Sequence, residues 1–224
     1  MIAHNFRFRL TFLSIILTFM SMTAQDAVET TTIPNTKFYD LRGTNAFDVA
    51  IGTSVINGDF VDPMWEIYSH VGYKRHFTPH LAVDIGYHKF NLAYVDLYNE
   101  GFMSFDLNIE VLLRPHHIFS PYIFAGAGYN AANHFSQSDP KIQGGIGIEY
   151  IVTDGVALKL FSDYNYVSSD TLDGLEAGAA DDVYWRVAFG ANIYFGGNDK
   201  KAKALKDIPT VRNTYSILDV ENNP

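Results

Sequence analysis

From Asp182 to Phe195 the chain reads DVYWRVAFGANIYF, and its apolar positions recur at every second residue. Val183, Trp185, Val187, Phe189, Ala191, Ile193 and Phe195 share one face. Tyr184, Arg186, Ala188, Gly190, Asn192 and Tyr194 share the other. Period two over this length predicts a strand. Seven earlier segments behave alike: 47–56, 64–77, 81–90, 102–113, 122–132, 141–151 and 156–167. The clearest is 102–113, where Met103, Phe105, Leu107, Ile109, Val111 and Leu113 oppose Ser104, Asp106, Asn108 and Glu110. A continuous apolar face backed by charged residues suits a barrel wall in lipid, with apolar side chains outside and polar ones inside.

Every segment is long enough to cross a bilayer as a tilted strand, which takes about 9–11 residues. The connections alternate in character. Thr78–His80, Arg114–Ser120 and Val152–Gly155 are short or turn-like, whereas those after the first, third, fifth and seventh segments are mostly longer and more polar. Short turns at one end and long loops at the other, with an even strand count, place both termini on the periplasmic side. The predicted fold is therefore all-β: an eight-stranded antiparallel transmembrane β-barrel with meander topology over 47–196. Residues 26–46 are polar and threonine-rich and predict a periplasmic lead-in. Residues 197–224, with Lys200, Lys201, Lys203 and Lys206, predict a flexible periplasmic tail.

At the start, Arg7 and Arg9 precede the apolar run LTFLSIILTFM (10–20), which predicts a secretory signal over residues 1–25. The run is shorter than the roughly 20 residues of a spanning helix. Composition agrees with an alternating chain: 47% of residues are hydrophobic, yet mean hydropathy is only −0.03. The 14 tyrosines and 17 phenylalanines suit aromatic belts. Absence of cysteine excludes disulfides, thiolate metal sites, a cysteine nucleophile and a lipoprotein anchor. The formal charge of −9 and the lack of a basic patch argue against nucleic acid.

Chemistry concentrates on the inward face. Asp48, Glu66, Asp84, Asp106, Glu110, Glu149 and Asp163 are expected there with Lys74, Lys159 and Arg186 as counter-charges, and with His70 and His88 between them. An eight-stranded barrel is only wide enough for its own side chains, so these groups are expected to pair as a lumen-filling network. The apparent excess of acid leaves room for a bound cation, a water or a proton. Inward glycines, among them Gly72, Gly86, Gly145 and Gly147, make space for large polar partners. Gly126 and Gly128 lie inside a strand, so they form no phosphate loop. No histidine pair has ligand spacing, and His116-His117 reads as a solvated turn. Asp170, Asp173, Glu176, Asp181 and Asp182 lack the alternating ligands of a calcium loop. Ser69 and Ser162 point outward, but no Ser/His/acid arrangement follows from spacing. Neither metal nor cofactor nor catalytic residue is therefore assigned.

Over about residues 45–196 the chain resembles the small eight-stranded outer-membrane barrels of the OmpA/OmpX type, without a peptidoglycan-binding domain. The stretches NEGFMSFDLNIE (99–110), KIQGGIGIEY (141–150) and LDGLEAGAADDVYWRVAFGANIYF (172–195) are more specifically similar to Bacteroidetes-type barrels associated with curli-like secretion channels. The resemblance implies residence in a Gram-negative outer membrane, with its lipid and the barrel assembly machinery as partners. It also implies that the terminal aromatic Phe195 acts as an assembly signal. The expected role is that of a non-enzymatic structural or assembly partner, accessory to a secretion channel or another outer-membrane protein. Leu172 and Leu175 in the longest loop, and Tyr215, Ile217 and Leu218 in the tail, are the candidate contacts. A small passive channel and a lipid A-modifying enzyme are the alternatives.

Overall fold

The computed structural model describes residues 34–58, 62–132, 138–168 and 182–206. The expected signal (1–25) and the contact candidates Leu172, Leu175, Tyr215, Ile217 and Leu218 lie outside the described residues.

Eight antiparallel strands form the wall: β1 (Asn45–Asn57), β2 (Glu66–His76), β3 (Leu81–Tyr94), β4 (Tyr98–Leu112), β5 (Phe119–Ala132), β6 (Ser138–Thr153), β7 (Val156–Val167) and β8 (Val183–Phe195). Each pairs with its neighbours in chain order, and β1 pairs with β8 from Asn45↔Phe195 to Asn57↔Val183. That last ladder closes the sheet, so no strand is left with an open edge. Among the described residues no helix is long and apolar enough to cross a membrane. The strands do the crossing, since a closed barrel satisfies its backbone groups internally.

Burial follows the alternation, but inverted relative to a water-soluble protein. On β4, Phe105, Leu107 and Ile109 are 55–56% exposed, while Asp106, Asn108 and Glu110 between them are 2–6% exposed. Every strand repeats this, so the outside is a continuous apolar surface that only lipid can cover. Aromatic side chains mark its limits. Phe195 stacks on Phe47 at 5.2 Å near the end that carries the termini. Near the loop end, Trp185 meets Tyr164 edge-on at 5.0 Å. Ten residues of tilted strand separate Trp185 from Phe195, about 25 Å of membrane thickness, which matches the apolar band of such barrels.

Three features differ from the sequence expectation. Helix α1 (Pro34–Leu41) lies within the presumed lead-in and helix α2 (Asn198–Lys206) within the presumed tail. At eight and nine residues they are too short to show a helical period, and α1 is recognisable only by the proline at its first turn. Lys201 of α2 pairs with Asp40 of α1 at 2.5 Å in an exposed position, and such a pair contributes little. The third difference is the connection expected over 91–101, which is only the turn Val95–Leu97, with Asp96 in the left-handed region (φ 56°). Strands β3 and β4 continue above the membrane band. Leu92, Ala93 and Tyr94 are all buried there, and the short Pro63–Met64 segment pairs across Tyr94 and Ala93. Burial on both faces erases the alternation that would have revealed the extension. Long loops therefore do not follow every odd strand.

Glycine is required at two positions beside the barrel's terminal end. A Cβ on Gly43, between α1 and β1, would fall 2.4 Å from the Phe195 carbonyl oxygen. Gly155, in the two-residue Asp154–Gly155 turn between β6 and β7, has φ +80°.

Candidate functional site

Among the described residues most of the buried charged groups gather in the lumen, and they are organised in layers. At the terminal end Arg42, just after α1, points into the barrel and is fully buried. Its Nε donates to Glu149 Oε1 at 2.7 Å, and its Nη1 donates to the carbonyls of Pro115 and His117 at 2.7 and 3.2 Å. The other oxygen of Glu149 accepts from Asn192 Nδ2 at 2.6 Å and from the Tyr194 hydroxyl. Phe38 of α1 is wholly buried against the ring of His76. Helix and arginine together stopper this end.

Above them, Lys74 Nζ donates to Glu110 Oε2 at 2.6 Å and lies 3.9 Å from Asp48 Oδ2. Lys159 donates to Asp48 Oδ1. His70 Nε2 faces the same Asp48 oxygen at 3.1 Å. The next layer centres on Arg186, whose fork takes both oxygens of Asp163 at 2.6–3.1 Å and reaches Asp106 Oδ2 at 3.1 Å. Lys141 donates to that Asp106 oxygen at 2.9 Å and to Asn165 at 2.7 Å. His88 Nε2 lies 3.1 Å from Asp106 Oδ2, while its Nδ1 lies 2.7 Å from the Tyr68 hydroxyl and 3.2 Å from His70 Nδ1. The Arg186 guanidinium lies over the Tyr68 ring at 5.2 Å. Towards the loops the polar layers give way to rings: Phe102 stacks on Phe90 and Phe90 on Tyr184 at 5.8 and 5.0 Å, beside buried Leu92 and Ile56.

Of the twelve residues expected in the lumen, eleven are buried. Ten of these take part in ion pairs with another charged or histidine side chain. Asp84 is buried but is in no salt bridge among the described residues, and its Oδ2 has no hydrogen-bond partner. Glu66 is the exception in position. It begins β2 at the loop end, is half-exposed and joins no ion pair among the described residues. Sequence reasoning missed Arg42 and Lys141, two of the five buried fixed cations. Lys141 has inward parity beside Gln143 and was legible on that ground; Arg42 precedes β1 and carries no strand period. It also missed that cross-strand register sets His70 opposite His88. Phe195 lies on the lipid face at the end of β8, next to Phe47 and Tyr73.

In the β4–β5 turn, His116 approaches His80 with ring centroids 6.2 Å apart. Burial, with His80 and His117 nearby, lowers the His116 pKa below the ordinary imidazole range and favours its neutral form. No described histidine shares the lipid face with Ser69 or Ser162. His70, His76 and His88 are buried in the lumen, and His80, His116 and His117 are in turns.

Residues 12–195 match the family described as "Outer membrane protein beta-barrel domain". The chain belongs to this family. Its members' name also places it, at that coarse level, in a Gram-negative outer membrane. No curated protein matches the chain in sequence. Among solved structures it is similar to Neisserial surface protein A, with 13% identity, 68% of this chain and 98% of that chain covered and a TM-score of 0.58. The N-terminal β-barrel domain of Pseudomonas aeruginosa OprF aligns at 17% identity, covering 69% and 99% of the two chains, with a TM-score of 0.46. The Yersinia pestis attachment invasion locus protein Ail aligns at 15% identity over 69% and 99%, with a TM-score of 0.45. At this identity the likeness to Neisserial surface protein A concerns the fold alone.

Removing Arg186 would leave Asp163 buried without its cation. Arg186→Met is therefore expected to cost about 3–5 kcal/mol, with part of the loss restored when Asp163→Leu is added. Urea unfolding of the barrel from lipid vesicles measures both. Unchanged stability in Arg186→Met would contradict the pairing.

Proposed function

We propose that this outer-membrane barrel is a non-enzymatic, non-conducting structural or assembly partner whose terminal end faces the periplasm. The observation that carries the reading is the packing of the lumen from end to end. Rings fill it towards the loops, paired charges fill its middle, and α1 with Arg42 occupies the other end. A passive channel needs a continuous wet path, and fully buried Arg42 and Arg186 lie across it. A lipid-modifying enzyme needs a nucleophile and base within hydrogen-bond reach near the membrane interface. The outward Ser69 instead donates to the Lys89 carbonyl at 3.3 Å.

A barrel without lumen chemistry for transport acts through its surface, its loops and its terminal segments. Work beside a curli-like secretion channel is the specific form suggested by the resemblance of 99–110, 141–150 and 172–195. Leu172, Leu175, Tyr215, Ile217 and Leu218 are the proposed contacts, and Phe195 the proposed assembly signal. The test is a native pull-down from detergent-solubilised outer membranes, with and without residues 207–224, which leaves α2 in place. A stoichiometric secretion channel recovered by the full chain and lost on truncation is the expected result. Recovery by both forms keeps the role and moves the contact to barrel or loops. No partner for either form overturns the assembly reading. Discrete conductance steps from the same full-length protein in planar bilayers would overturn the non-conducting one.

A further inference from the structure

We propose that the lumen holds a single divalent first-row metal ion, of the zinc type, on Asp48, His70 and Asp84. These residues stand on the neighbouring strands β1, β2 and β3, and each offers a ligand atom within 4.8 Å of the others. All three are at least nine-tenths buried and line a cavity of about 30 Å³. That space admits about one or two waters, which would complete a four-coordinate shell.

The unpartnered Oδ2 of Asp84 is an independent pointer. Seven buried carboxylates (Asp48, Asp84, Asp106, Glu110, Glu149, Asp163 and Asp182) stand against five buried fixed cations (Arg42, Lys74, Lys141, Lys159 and Arg186). The interior is short of positive charge, and Asp84 stands in no salt bridge among the described residues. A buried charge left so is costly. A proton on Asp84 would cancel the charge but leave Oδ2 without a protein partner. A metal ion satisfies the oxygen itself. A dication also adds positive charge where the interior lacks it.

The geometry around His70 agrees. Two ligands of a tetrahedral zinc at 2.0–2.1 Å lie about 3.3 Å apart. His70 Nε2 and Asp48 Oδ1 are already 3.1 Å apart, so the ion takes the place of the proton between them. Lys159 shares that carboxylate, whose two oxygens have lone pairs for both cations. With Nε2 on the metal, His70 keeps its proton on Nδ1 and donates it to His88 Nδ1 at 3.2 Å. His88 Nε2 in turn lies 3.1 Å from Asp106 Oδ2. A histidine ligand whose second nitrogen is held by a neighbouring side chain is oriented for metal. Gly72 and Gly86 keep the niche open, since a Cβ on either would press on the His70 ring at 3.0 and 2.7 Å.

The test refolds the full chain into detergent micelles with Zn²⁺, desalts it and measures zinc per folded barrel by mass spectrometry. Co²⁺ loading is followed in parallel by visible d–d absorption. Heat-modifiable gel mobility reports folding for each sample. One ion per wild-type barrel is expected, with at least about tenfold weaker retention in Asp84→Asn and in His70→Gln. Wild-type barrel that folds without retaining zinc overturns the proposal, and leaves Asp84 protonated instead. So does zinc that survives both variants but is lost in His116→Ala, which would place the ion at the turn histidines. If either lumen variant fails to fold, the other and the wild-type stoichiometry still decide.

Discussion

Lipid on the outside of the barrel forces the charges inside to find one another. Little water reaches either face of the wall at mid-membrane, so an inward carboxylate is stabilised by a cation on a neighbouring strand or on one across the lumen. Arg186 is the centre of this constraint. Its fork on Asp163, its reach to Asp106 and its position over Tyr68 tie together β2, β4, β7 and β8. Lys141, Lys159, Lys74 and Arg42 extend the same bonding around the circumference. A one-residue slip of any strand would turn its charges into lipid and its aliphatic side chains into the network, so the ion pairs also set register.

The outward half of the fold was legible in the sequence because its physics is local. Each strand carries its own alternation, and Asp106, Asn108 and Glu110 could be assigned to the inside without knowing what they meet. The ends were less legible. Leu92, Ala93 and Tyr94 are buried beyond the membrane band, where alternation has no cause. Helix α1 is one buried phenylalanine and an arginine that follows it, and no periodicity encodes that Arg42 reaches Glu149, 107 residues away.

Partners across the lumen are the remaining information that a single chain does not display. His70 and His88 are eighteen residues apart and look unrelated until β2 and β3 are put in register. Likewise the acid excess read from the sequence shrinks once Lys141 and Arg42 are counted, and Asp84 stays outside the ion pairs among the described residues. The lumen is thus both the source of the fold's specificity and the location of Asp84, which joins no ion pair among the described residues.

The most direct test of this inside-out packing is a spin-label accessibility scan along β4. The chain lacks cysteine, so single cysteines from Phe102 to Leu112 can be labelled one at a time in lipid vesicles. Collision with oxygen should rise and fall with period two, high at 105, 107 and 109 and low at 104, 106, 108 and 110. The low positions should also be closed to a water-soluble nickel relaxant. A helical period, or nickel access at 106 and 108 as high as in the loops, would contradict the account.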